Sequence, residues 1–400
     1  MRFSGFDDEW VVKKLNDVSN INPKTGDLPE TFIYIDLDSV NKGILTKYNQ
    51  INKVDAPSRA QRCLDVNDIL FQTVRPYQMN NLFFELTDNK YVASTGYAQI
   101  KSKINSRFLY YYLHYHKFVN NVLSRCTGSN YPAINSTDLK KIKIKIPSSP
   151  NEQLLIGDLF HKIDQKIKLL ENKHDYYLDF KKYLMQQIFA QKLRFNFTDD
   201  WNYMNFSEIF KSVSTKKYQI KSADILDKGD FEVIDQGQDE IAGYFNDKTK
   251  LCQELPIIIY GDHTTFVKFR DKPFIVGADG VKLLIPKFNA NPKYLFYALE
   301  HFNIKPEGYK RHFSIIKKIK LPIPTLEEQN EISEIFNYID IKLKYTKIQL
   351  QETEEFKKGL LQQMFIVRIN WRCNFKLAKS PSFNKHLLIL KNKIIFIIIE

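Results

Sequence analysis

The sequence predicts an α+β chain. Two similar globular domains, mostly β with short helices, are separated by two long antiparallel coiled-coil helices in a pseudo-two-fold internal repeat. Three observations carry this. Glu152–Phe189 recurs as Glu328–Phe365, 176 positions on, without a gap and with 15 of 38 positions identical. Both copies carry an apolar seam spaced alternately by three and four. The stretches before the two copies hold short strand-like runs in the same order. A repeat of this length sets the architecture ahead of any local detail.

Neither copy contains Pro, so each can form one uninterrupted helix. Ile156, Phe160, Ile163, Ile167, Leu170, His174, Tyr177, Lys181, Leu184 and Ile188 form the first seam. Ile332, Phe336, Ile339, Leu343, Thr346, Leu350, Thr353, Lys357, Leu360 and Met364 form the second. This is a heptad pattern, apolar at both ends and polar in the middle. Each helix would be about 57 Å long and must bury its stripe on something. The nearest matching stripe is the other copy.

The repeat extends upstream. Arg2-Phe3-Ser4-Gly5-Phe6-Asp7-Asp8-Glu9-Trp10, followed by Leu15 and Val18, returns as Arg194-Phe195-Asn196-Phe197-Thr198-Asp199-Asp200-Trp201, followed by Phe206 and Ile209. In the first globular part, strands are expected at Thr31–Ile35, Asp68–Thr73 and Lys141–Ile146. The last alternates strictly, with one Lys face. Phe108–Leu113 opens a short helix, and Pro147 and Pro150 stop the strand before the long helix. The second part places Leu255–Gly261, Tyr294–Leu299 and Ile315–Pro324 at the corresponding landmarks and diverges between them. The resulting division is a first globular domain over 1–150, the central helix over 151–192, a second globular domain over 193–325 and the distal helix over 326–366. Residues 367–400 match nothing earlier and end in an aggregation-prone run too short to span a bilayer. They are expected to be an atypical, poorly ordered tail.

Composition narrows the function class. The chain has 400 residues, a net charge of +13 and a pI of about 9.2, with 22 Tyr and 30 Phe. A large basic globular chain points to a polyanionic partner, with nucleic acid first. Cys63, Cys126, Cys252 and Cys373 are scattered, as free thiols of a reducing cytosol would be. No signal peptide opens the chain and no apolar run reaches membrane length, which fits a cytoplasmic protein without a membrane partner.

Catalytic motifs are missing. There is no G-x-x-x-x-G-K-[ST] phosphate loop and no Asn-Pro-Pro-Tyr run. Glu355-Phe356-Lys357 and Asp179-Phe180-Lys181 match half of a nuclease metal motif, but both lie inside the helices and read as solvated faces. His114 and His116 could bind metal only from one strand face, and a local helix or plain surface pair is the simpler account. No catalytic residue, metal ligand or cofactor is assigned to this chain, which reads as a binder.

Candidate DNA-contacting residues are basic and amide side chains interleaved with aromatics. In the first domain they are Arg59, Arg62, Arg75, Tyr77, Gln78, Lys101, Arg125, Asn130 and Tyr131. In the second they are Lys216, Lys217, Tyr218, Gln236, Gln238, His263, Lys268, Arg270, Lys310 and Arg311. Arg pairs with guanine edges and amides with adenine edges, while Lys mostly holds phosphate. Gln72–Tyr77 and Arg125–Pro132 read as strand-end loops, where specificity usually sits.

The pattern resembles the specificity (S) subunit of type I restriction-modification systems. The residues that carry the likeness are Ile146-Pro147 with Glu152-Gln153, Ile323-Pro324 with Glu328-Gln329, and the Leu-x-Gln-Gln-x-Phe endings Leu184–Phe189 and Leu360–Phe365. The segments that end in Trp10 and Trp201 add to it, and the likeness covers residues 1–365. It implies two target-recognition domains, each reading one half of a bipartite, asymmetric sequence in double-stranded DNA. It also implies that the long helices set the spacing and dock two methyltransferase (modification) subunits, which restriction/translocase subunits then join. S-adenosylmethionine, ATP and Mg are expected on those partners. Helix pairing and subunit docking then fall to Ile156, Phe160, Ile163, Phe180 and Leu184 with Ile332, Phe336, Ile339, Phe356 and Leu360. The tail is the departure from the family pattern. Two other classes stay open on the residues alone: a coiled-coil scaffold that joins proteins, and a stand-alone nuclease-methyltransferase, which the missing motifs disfavour.

Overall fold

A computed structural model describes residues 2–88, 90–277, 279–308 and 310–365. The expected tail and Cys373 lie outside the described residues. The chain divides into two compact units, the first Met1–His161 with Lys357–Glu400 and the second Lys162–Phe356.

In the first unit Val11–Lys14 pairs antiparallel with Lys143–Ile146, Val11 opposite Ile146. The Lys/Ile alternation therefore buries Ile144 and Ile146 while Lys143 stays exposed. A four-stranded antiparallel sheet follows in the order Ser19–Ile21, Tyr97–Ser102, Ile69–Gln72, Leu82–Phe83. A second runs Asn49–Asn52, Thr31–Ile35, Tyr91–Ser94, Ala60–Cys63, and its middle pair is parallel. Ile33, Ile35, Leu70, Ala93 and Tyr97 join both sheets in one core.

The second unit repeats the plan. Asn202–Asn205 pairs with Lys320–Ile323. Phe210–Val213, Val281–Pro286, Ile257–Gly261 and Val267–Arg270 form the antiparallel sheet. Gln219–Ile220, Ile275–Gly277, Phe231–Ile234 and Gly243–Phe245 form the mixed one. The mixed sheets differ at one edge: Ala60–Cys63 joins antiparallel, Gln219–Ile220 parallel. The expected strand over Lys141–Ile146 starts at Lys143, because Ser136–Lys141 is helical. Likewise Phe313–Ile316 is a helical turn, and the last strand of that unit is Lys320–Ile323.

The central helix is Pro150–Phe189 and the distal helix Leu326–Met364. All twenty seam positions are buried or half-buried. The helices run antiparallel. In the first unit Phe160 stacks on Phe365 at 6.0 Å between centroids. In the second, Phe189 stacks on Phe336 at 6.3 Å and His174 meets Thr346. Phe180 lies off the seam, 37% exposed and stacked on Tyr176.

The repeated motifs tie each helix to a globular part. Glu152 accepts from Arg2 Nε at 2.6 Å, Arg2 Nη2 at 2.9 Å and Trp10 Nε1 at 3.3 Å. Glu328 accepts from Arg194 Nε at 3.0 Å, Arg194 Nη2 at 2.7 Å and Trp201 Nε1 at 2.9 Å. Gln153 Nε2 donates to Pro147 O while its Oε1 accepts from Asn105 N. Gln329 does the same with Pro324 O and Asn291 N. Asn105 and Asn291 are themselves the N-caps of the aromatic helices Ser106–Tyr112 and Pro292–His301. The closing phenylalanines fill aromatic cages. Phe365 touches Trp10, Phe108, Tyr112, Tyr115 and Phe160. Phe189 touches Trp201, Tyr294, His301, Phe302 and Phe336.

Candidate nucleic-acid interface

In each unit the loop after one central strand is bonded to the loop that precedes a short helix. In the first unit the strand is Ile69–Gln72 and the helix is Ser136–Lys141. Ile134 N donates to Thr73 O at 3.0 Å and Arg75 N to Pro132 O at 2.7 Å. Val74 and Thr127 both bridge to Ala133. In the second unit the strand is Ile257–Gly261 and the helical turn Phe313–Ile316. His312 N donates to Asp262 O at 2.7 Å and Phe313 N to Asp262 Oδ1 at 2.8 Å.

The first loop pair unites two stretches far apart in sequence. The Arg75 guanidinium lies over the Tyr131 ring, 4.2 Å from its centroid. Tyr131 is 64% exposed and Asn130 beside it is exposed. Tyr77 and Gln78 occupy the turn Pro76–Gln78, where Gln78 Oε1 accepts from Gln72 Nε2 at 2.8 Å. Arg125–Pro132 follows the helix His116–Leu123, not a strand. The remaining candidates sit on other elements. Arg62 is on the edge strand Ala60–Cys63, where burial pulls its guanidinium down from the usual value, and exposed Arg59 precedes it. Lys101 pairs with Asp65. Arg125 turns back on Asn121 O at 2.7 Å.

The second loop pair carries His263, and the loop after Phe231–Ile234 is bonded to it through Gln236. His263 N donates to Gln236 Oε1 at 3.0 Å, and Gln236 Nε2 donates to Asp279 O at 3.1 Å. Gln238 is exposed on the same loop as Gln236. Lys268 and Arg270 brace that loop from inside the domain. Lys268 Nζ donates to Asp235 O at 3.0 Å and Asp239 O at 2.6 Å, and burial pulls its ammonium down against the attraction of Asp235. Arg270 donates to Glu232 at 3.1 Å and Glu240 O at 2.9 Å. Tyr218 is buried, its hydroxyl on Glu254 at 2.9 Å. Lys216, Lys217, Lys310 and Arg311 are exposed, with Lys310 paired to Glu307. The sequence reading missed Asp262, which holds the loop pair together and lies 3.5 Å from Lys282. A lone acidic residue directly after an all-apolar strand was the available signal.

His114 and His116 are not a pair. His114 bonds Tyr110 O and meets Asn81, whereas His116 opens the next helix. Among the described residues no group of three or more His, Cys, Asp or Glu could hold a metal ion. No helix of these residues is long and apolar enough to cross a membrane.

The type I restriction modification DNA specificity domain matches this chain twice, over residues 7–175 and 198–355. Two similar proteins come from Methanocaldococcus jannaschii. One is a putative type I restriction enzyme MjaX specificity subunit, 31% identical over 24% of this chain and 26% of that protein. The other is the type I restriction enzyme MjaVIII specificity subunit, 24% identical over 49% of each. The chain thus aligns with half or less of the length of these relatives. The crystal structure of the type I restriction-modification S subunit from M. genitalium has the same fold, with a TM-score of 0.64 over 90% of this chain and 96% of that one at 17% identity. A chain from a study of assembly and conformational transition of a type I R-M system gives 0.52 over 91% and 98% at 18% identity. With both halves matched, the chain belongs to the type I restriction modification DNA specificity domain family.

Proposed function

We propose that this chain is the non-catalytic specificity subunit of a type I restriction-modification complex. Each globular domain reads one half of a bipartite, asymmetric DNA site, and the long helices fix the spacing and dock two methyltransferase subunits. The observation that supports this best is the loop pair, built at the same place in both units but carrying Arg75 and Tyr131 in one and, in the other, His263 held by Gln236 of a neighbouring loop. One frame with two chemistries is what two half-sites of different sequence require. The net charge of +13 supplies the phosphate attraction.

The docking face follows from what helix pairing leaves over. Tyr338, Ile341, Tyr345 and Ile348 recur at three- and four-residue spacing along the distal helix and are 59%, 56%, 58% and 43% exposed. On the central helix Leu169, Tyr176 and Tyr183 are 68%, 62% and 56% exposed, one heptad apart. Stripes of this kind suit partner helices. Methylation mapping of host DNA with the gene present and deleted tests the whole reading. A bipartite motif that vanishes with the gene is expected, and an unchanged methylation pattern would refute it.

A further inference from the structure

We propose that Arg75 specifies a guanine in the half-site read by the first domain, and that Tyr131 positions its guanidinium for that task. This rests on the DNA-reading role proposed above. The backbone at Arg75 is left-handed, with φ 53° and ψ 53°, a conformation that a long L side chain seldom adopts. Strain of this kind persists only where neighbours over-determine it, and it gathers at functional sites. Here Arg75 N is held by Pro132 O, Arg75 O accepts from Gln78 N, and the bridge from Val74 to Ala133 fixes the preceding residue. Tyr131 is set by a turn at Gly128, φ +92°, where a Cβ would come within 3.1 Å of Tyr131 O.

The side chain is as constrained as the backbone, yet its donors are unspent. The guanidinium sits 4.2 Å over the Tyr131 ring, and no described residue accepts a hydrogen bond from it. Three other arginines of this unit use theirs internally: Arg2 on Glu152, Arg107 on Glu85 and Asp158, Arg125 on Asn121. Among the described residues Arg59 and Arg62 do not, and neither is stacked on a ring as Arg75 is. A planar fork stacked on an exposed ring is oriented before binding, so little freedom is lost when it bonds. The base edge that matches such a fork is guanine O6 and N7 in the major groove. A phosphate contact would need neither the ring nor the strained backbone.

The test uses the full chain co-expressed with the methyltransferase subunits of its system, read by methylation mapping. Asn tolerates the left-handed region, so Arg75→Asn removes the guanidinium and keeps the turn. Arg75→Lys keeps the charge without the fork. The wild-type motif is expected to hold a G·C pair in one half-site. Both variants should relax that one position, losing roughly 5- to 150-fold discrimination there and leaving the other half-site unchanged. Tyr131→Ala should relax the same position and Tyr131→Phe should not. An unchanged motif, an even loss of methylation that Lys restores, or variants that fail to assemble would each overturn the assignment. If the wild-type chain directs no sequence-specific methylation, the DNA-reading role itself fails.

Discussion

His174 Nδ1 lies 3.1 Å from Thr346 Oγ1 and joins the two long helices at the polar middle of their seam. The Thr346 hydroxyl turns its own proton toward the carbonyls of Lys342 and Leu343. A hydroxyl that gives its proton to one of these carbonyls accepts from His174 in the Nδ1-protonated tautomer. The midpoint of the seam is thus a directional contact, and it pins the register of the antiparallel pair as a buried polar residue does in other coiled coils. Thr346→Val should cost about 0.5–1.5 kcal/mol of stability, as should His174→Leu. The double variant should cost less than the sum, because neither polar group is then left unpaired. Denaturant unfolding of the four proteins checks this, and strict additivity would show that the contact contributes nothing.

Glu152 and Glu328, the two carboxylates that receive an arginine and a tryptophan, are both buried, but Glu328 holds the better buried arginine: Arg2 is 30% exposed and Arg194 17%. Glu328→Ala strands that guanidinium and the Trp201 indole N–H together. A loss on the order of 3 kcal/mol is expected. Glu152→Ala should cost less, since Arg2 is 30% exposed and can regain water. Equal midpoints for both variants and wild type in denaturant would contradict this.

The frame was largely legible in the sequence, because it rests on local periodicity and on motifs that appear twice. The heptad seam picked out twenty positions that are all buried or half-buried, and Thr31–Ile35 is a strand over the residues expected. What stayed hidden needed tertiary contacts. Arg75 and Tyr131 are 56 positions apart, and nothing local says that one ring carries the other's guanidinium. Lys181 was ambiguous, standing in the seam and also in a segment read as a solvated face. It is 13% exposed, 2.9 Å from Asp340 and 3.1 Å from Glu300, so the solvated reading does not hold there.

Phe365 and Phe189 explain why both repeats end in phenylalanine. Each is 4% exposed inside a cage of aromatic rings. Replacing either by Ala removes the anchor between a helix end and its globular domain, at a cost of about 3–5 kcal/mol. Thermal unfolding measures it. A loss below 1 kcal/mol would mean the cage collapses onto the gap.

The exposed stripe on the distal helix should matter for assembly and little for folding. Ile341→Glu and Tyr345→Glu place charge where 56% and 58% of the side chain is already open. Each should leave the unfolding free energy within about 0.5 kcal/mol of wild type. Each should also sharply reduce the methyltransferase subunit recovered with the tagged chain. Full recovery with both changes combined would remove this face from the docking surface.

His301 gives the second unit an acid-sensitive contact. Its ring stacks on Phe189 at 4.7 Å with 21° between planes, and burial lowers its proton affinity below the ordinary histidine value. An unfolded chain therefore binds that proton more readily than the native state. The stability associated with neutral His301 is fully present above about pH 6.5. It declines as pH falls from there through the lower native value. His301→Gln removes the titration while keeping a polar, uncharged side chain. The wild type should lose stability relative to this variant between pH 7.5 and about pH 5.5, read as the difference in Tm at each pH. The sign follows from burial alone, because a carboxylate close enough to hold the imidazolium would have raised the proton affinity instead. A Tm difference that is flat across that range, or that grows in favour of the wild type toward acid, would mean that His301 binds its proton as readily in the native state as in the unfolded chain, or more readily.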